Sequence, residues 1–198
     1  MITSEEFAWV PWRRKISRLN SIVTGGATGA QRGAIEAATE LGLDVFGWRT
    51  PLAKDDPLSP NYLGRSKETL SPRMAARLNV QDSDGTLVIS FSETLIGGAA
   101  YADEAAEHQR KPLLHVVLPA GGRSTIPDEM RASVIEWVAK ARIAVLHVTG
   151  PTEREAPGIG AAVRDAIVWL FEDETSEMSE VELGELAHKI AGDHLRRI

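Results

Sequence analysis

Three short glycine-bearing stretches carry the residue types in this sequence best suited to chemistry. They are Gly25-Gly26-Ala27-Thr28-Gly29, Gly97-Gly98-Ala99, and the run from Gly150 through Pro157-Gly158-Ile159. Each follows a short apolar run and precedes a segment of helical periodicity. Glycine lets a backbone approach a ligand closely and adopt dihedrals closed to other residues, while the first amides of a helix lack intrahelical partners. Amides so placed attract phosphate or carboxylate. One such turn would signify little, but three in one sheet point to an anion-binding crevice. The candidate ligand-binding residues are Gly25, Gly26, Thr28, Gly29, Gly97, Gly98, Ala99, Pro157 and Gly158. Arg32, one turn into the first helix, either grips a phosphate in bidentate fashion or is an ordinary surface arginine.

Other chemistries find little support. The sequence has no cysteine, which excludes disulfides, cysteine-ligated zinc, iron–sulfur clusters and a thiol nucleophile. No G-x-G-x-x-G follows the first strand, and neither a G-x-x-x-x-G-K-[ST] loop nor a G-x-S-x-G elbow occurs. The five histidines lack metal-ligand spacing, and His115 and His147 fall in apolar runs that mark them as hydrogen-bonded core residues. Trp48 reads as a core tryptophan or as a ring that stacks on a ligand. Asp103 and Glu104 either act on a bound sugar or merely stabilise the first turn of their helix. Asp82-Ser83-Asp84-Gly85 reads as a turn whose carboxylates hold backbone amides. No catalytic residue and no metal site are assigned.

The elements that must position these loops follow from pattern. Strands are expected at residues 21–24, 44–48, 86–91, 112–118 and 143–149, and helices at 29–41, from Ser71-Pro72 onward, after Gly97-Gly98 to about 110, at 128–142 and at 157–171. Ser71-Pro72 supplies an N-cap and a proline at the first helical position, and Gly42 stands just past the end of the first helix. Residues 50–64, with Pro51, Pro57 and Pro60, read as one long irregular loop. This alternation predicts an α/β, Rossmann-like, doubly wound and mostly parallel sheet with helices on both faces. Residues 21–171 form the ligand-binding domain. Residues 1–20 read as an N-terminal arm, and residues 172–198 as an acidic linker with a C-terminal amphipathic helix.

Composition agrees with this. The 198 residues are 43% hydrophobic and 25% charged, as in an ordinary globular domain of the cytoplasm. No apolar run approaches the roughly 20 residues of a membrane span, and no secretory signal opens the chain. A net charge of -6 argues against a grip on nucleic-acid backbone. Local amides and arginines still admit a small anionic partner, because much of the acidic excess lies after residue 171.

The order of motifs resembles the molybdenum carrier, or molybdenum cofactor carrier, proteins of the LOG-like Rossmann superfamily. The matching residues are Ile22-Val23-Thr24-Gly25-Gly26-Ala27-Thr28-Gly29-Ala30-Gln31-Arg32, Leu41-Gly42-Leu43 and Gly47-Trp48. They continue through Asn79-Val80-Gln81-Asp82-Ser83-Asp84-Gly85-Thr86, Gly97-Gly98, Lys111-Pro112-Leu113, Gly150-Pro151 and Ala156-Pro157-Gly158-Ile159. The stretch from Asn79 is the most specific. Gln31, Ala99 and Arg154 depart from the family's usual aspartate and hydroxyl residues, and Arg49 and Arg154 add positive charge near the crevice.

The resemblance implies a homo-oligomer that binds the phosphate of molybdopterin and shelters or delivers the molybdenum cofactor without turnover. Two alternatives remain. One is a LOG-type nucleoside-monophosphate phosphoribohydrolase, although Ile96 and Ala100-Tyr101 replace parts of that enzyme's Pro-Gly-Gly-x-Gly-Thr pattern. The other is a sensor or scaffold module for a nucleotide-derived ligand.

Overall fold

Short β-branched and apolar runs form the strands, and alanine-rich amphipathic segments form the helices between them. The computed structural model describes residues 19–51, 60–119 and 127–172. The strands are β1 (Ser21–Val23), β2 (Asp44–Arg49), β3 (Ser66–Glu68), β4 (Gly85–Ser90), β5 (Leu113–Val117) and β6 (Val145–Thr149). The helices are α1 (Ala30–Glu40), α2 (Pro60–Arg65), α3 (Pro72–Gln81), α4 (Gly97–Gln109), α5 (Asp128–Lys140) and α6 (Ile159–Phe171). The strands make one six-stranded sheet in the order β3-β2-β1-β6-β4-β5, and every pairing is parallel. The expected Rossmann-like α/β fold is therefore present, with a wholly parallel sheet. Residues from Ser17 to Phe171 form one compact unit. The expected arm and the acidic tail with its helix lie outside the described residues, except for Leu19, Asn20 and Glu172.

The direction of travel along the sheet decides which face each helix covers. The chain steps one way from β1 to β3, jumps back across the sheet to β4 and β5, then returns to β6. Right-handed crossovers then place helices on opposite faces for opposite directions of travel. Leu87 and Ile89 of β4 and Leu146 and Val148 of β6 join α1, α5 and α6 in the larger core. Ala76 and Val80 of α3 pack with Ala102, Ala105 and Ala106 of α4 in a separate cluster. Helices α1 and α6 meet at glycines, where a Cβ on Gly33 would lie 2.1 Å from the Gly160 carbonyl oxygen.

One stretch differs from expectation. Residues 50–64 do not stay irregular, because α2 begins at Pro60 and β3 follows it directly. Proline at the first helical position loses no hydrogen bond. β3 is Ser-Lys-Glu and has no apolar signature; its partner supplies the order. Gly47, Trp48 and Arg49 of β2 pair with Ser66, Lys67 and Glu68. Arg49 reinforces this with a 2.6 Å ion pair to Glu68 and a 2.9 Å hydrogen bond to Ser66 Oγ. Ser71 caps α3 as expected, its hydroxyl accepting from the Met74 amide at 3.3 Å.

Candidate functional site

In a parallel sheet all carboxyl ends share one edge, and ligands bind beyond it. β1, β6 and β4 are neighbours at the sheet centre, so the three glycine-bearing loops leave that edge side by side. Residues 24–29 lead into α1, residues 91–96 into α4, and residues 150–158 into α6. Backbone bonds join the first loop to the third: Ala30 N donates to Pro151 O at 3.1 Å, and Glu153 N to Thr28 O at 3.3 Å. Gly29 holds a φ of +90°, and a Cβ there would lie 2.4 Å from Glu153 N. Only glycine fits that junction.

Gln31 bridges the loops. Its Oε1 accepts from the Ala27 amide at 2.9 Å, and its Nε2 donates to Thr149 Oγ1 at 3.2 Å. The same Nε2 lies 3.8 Å from where a Cβ on Gly98 would stand. The carboxamide thus takes one amide of the first loop for itself. Arg32 turns back toward that loop, its Nη2 lying 3.5 Å from Gly26 O.

The starts of the three helices differ in what already satisfies them. Neither α1 nor α4 has a side-chain cap or an acidic residue in its first turn. At α6 the Glu153 carboxylate accepts from the amides of Gly158 and of Gly160, the latter at 3.1 Å. Glu155 Oε2 accepts from the Thr152 amide and hydroxyl, both at 2.8 Å. Its other oxygen lies 3.0 Å from where a Cβ on Gly97 would stand. The anion-receptive start of α6 therefore already holds an anion, the chain's own.

Among the candidate residues, Thr28, Gly97, Pro157 and Gly158 are exposed, and Gly25 and Gly98 are half-buried. Gly26, Gly29 and Ala99 are buried. Beneath Gly26 lies Tyr62, which the sequence did not single out. It is fully buried and its hydroxyl donates to Thr24 O at 2.8 Å. Burial raises its phenol well above the ordinary range, an effect partly offset by the charges of Arg49 and Arg32.

Several expectations are resolved by contacts. Arg49 brings no free charge to the crevice, since Glu68 neutralises it. Trp48 does not join the core, and one face of its ring is taken. Its Nε1 donates to Asp82 Oδ2 at 2.8 Å, and the Lys67 ammonium sits 5.1 Å over its ring. Glu104 pairs with Arg73 of α3. His147 is the hydrogen-bonded core residue expected, 3.3 Å from Thr86 Oγ1, and full burial pushes its pKa down to about 3. His115 Nε2 lies 2.7 Å from Ser90 Oγ. That hydroxyl also lies 2.6 Å from Ser92 O and accepts from the Ser92 amide at 3.3 Å. Among the described residues no group of three or more histidines, aspartates and glutamates could hold a metal ion.

The stretch from Asn79 builds the scaffold. Asn79 Oδ1 accepts from Trp48 N at 2.7 Å and its Nδ2 donates to Trp48 O at 2.9 Å. Asp84 Oδ2 accepts from the amides of Ala144 at 2.9 Å and Val145 at 2.8 Å, so this carboxylate holds backbone 60 residues away and not the amides of its own turn. The Lys111 ammonium reaches the carbonyls of Val80 at 3.0 Å, Gln81 at 2.6 Å and Ser83 at 2.5 Å, where a cation suits a helix C-terminus.

A wholly parallel sheet, wound in both directions and opening at its carboxyl edge through three glycine loops, defines a Rossmann-like α/β protein. The chain belongs to the circularly permutated YpsA SLOG family, whose model matches residues 22–171. It is also similar to the crystal structure of a putative molybdenum carrier protein from Syntrophus aciditrophicus SB, with 30% identity and a TM-score of 0.68. That match covers 79% of this chain and 97% of the other. No curated protein matches the chain.

Proposed function

We propose that this protein is a non-catalytic binding or carrier protein for a phosphorylated small molecule, with the molybdenum cofactor as the leading cargo. One observation carries the reading. The starts of α1 and α4 lack capping side chains and first-turn acids, and they flank the central carboxyl edge beside Arg32. A phosphate there meets helix starts that no side chain caps, the positive end of a helix dipole and a guanidinium. Gly25, Gly26, Thr28 and Gly29 line the α1 side, and Gly97 and Gly98 the α4 side. Ala99 contributes its backbone amide alone, because its side chain is buried. Pro157 and Gly158 shape the rim, with Glu153 in place of ligand at α6. The molybdenum carrier resemblance supports both the cargo class and a homo-oligomeric assembly, which light scattering measures.

Thermal unfolding with and without molybdopterin-bearing cofactor tests the reading. Ligand at about 100 times its dissociation constant stabilises the fold by about 2.7 kcal/mol, a readily measured rise in Tm. Arg32→Ala lowers affinity by about tenfold, the effect of one charged hydrogen bond. No rise in Tm with the cofactor or with a phosphate monoester counts decisively against the proposal.

A further inference from the structure

A concave site lies between α3 and α4. Its volume is about 540 Å³, within the range that small-molecule sites occupy. The walls are two helical stripes. Arg73, Arg77 and Gln81 recur every four residues on α3, and Tyr101, Glu104 and His108 do so at three and four on α4. Side chains at those spacings share one face of a helix, so both stripes look into the same groove.

The charges in the groove do not cancel. Arg73 is matched by Glu104 and also lies 5.7 Å over the Tyr101 ring. Arg77 has no such match: among the described residues its guanidinium meets only Met74 Sδ, at 3.2 Å. A chain of net charge -6 thus holds an uncompensated guanidinium in a concave site, where field lines concentrate. The groove is also lined by the Gln81 carboxamide on α3 and, on α4, by the His108 ring, whose Nε2 lies 4.0 Å from Glu104 Oε1. Such a spread suits the several acceptor oxygens of a tetrahedral phosphate better than the two of a planar carboxylate.

We infer that the α3–α4 groove is a second ligand site, one that takes a small organic phosphate monoester. Arg77 anchors the phosphate, and the polar body of the ligand lies along Gln81 and Tyr101. None of the residues lining this groove is among those proposed at the carboxyl edge.

Ribose 5-phosphate, titrated into the full-length protein and followed through backbone amide chemical shifts, tests the inference. The expected result is saturable shifts at Arg77, Gln81, Tyr101 and His108 that persist in Arg32→Ala. Arg77→Ala weakens this binding by about tenfold or more while leaving any shifts at residues 24–29 unchanged. Arg77 lies on an exposed helical surface, and an unchanged unfolding transition confirms that its variant is folded. Shifts confined to the carboxyl-edge loops, or equal affinity in Arg77→Ala and the parent protein, overturn it.

Discussion

The side chain of Asn79 behaves like a short piece of strand. Its carboxamide gives one donor and one acceptor to the two backbone groups of Trp48, as a neighbouring β residue would. At 1% exposure it does this beyond the reach of water. Asn79→Ala leaves an amide and a carbonyl unpartnered, and we expect a loss of about 2–3 kcal/mol in urea unfolding. A loss below about 0.5 kcal/mol would contradict the assignment. This residue also shows what the sequence alone conveys. The stretch from Asn79 to Thr86 stands out by its spacing, yet its task lies in partners 31 and 60 residues distant. Tyr62, Glu153 and Glu155 were hidden for the same reason. An exposed glutamate five residues before a glycine has no meaning until the helix start turns toward it.

At the level of elements, the central strands and the helix after each glycine loop were legible, because continuous apolar runs and glycine punctuation are local properties. α2 and β3 were not. Three prolines within residues 50–64 conceal a helix that starts on the last of them, and the polar β3 exists through its pairing with β2. The contact of α1 with α6 leads to a sharper expectation. Gly33→Ala brings a methyl group to 2.1 Å from backbone at Gly160, and neither helix can yield without disturbing the core between them. We expect about 1–3 kcal/mol of destabilisation, seen as a lower Tm, although alanine ordinarily favours a helix. An unchanged or raised Tm would show that the helices slide apart freely.

For the whole molecule, buried His147 ties stability to pH. In the unfolded chain its imidazole takes up a proton near pH 6.5, whereas the folded protein resists protonation until about pH 3. Between those values the unfolded state binds more protons, so stability falls as pH falls, by up to about 1.4 kcal/mol per unit. His147→Gln should flatten the dependence of unfolding free energy on pH between 6.5 and about 4. An identical slope in the variant would place the acid sensitivity elsewhere. Among the described residues no helix is long and apolar enough to cross a membrane.

The position of β6 has a consequence for how the protein comes into being. β1, β2 and β3 form one half-sheet and β4 and β5 another, and among the described residues no strand pairing joins the halves except through β6. Yet β6 is the last of the six described strands to leave the ribosome. Until residues 145–149 emerge, both halves present raw inner edges, the hazard that parallel sheets of high contact order carry during synthesis. The strand that completes the sheet also delivers the loop of Glu153 and Glu155. Closure of the fold and assembly of its carboxyl edge are therefore a single, late event, and an incomplete chain lacks both.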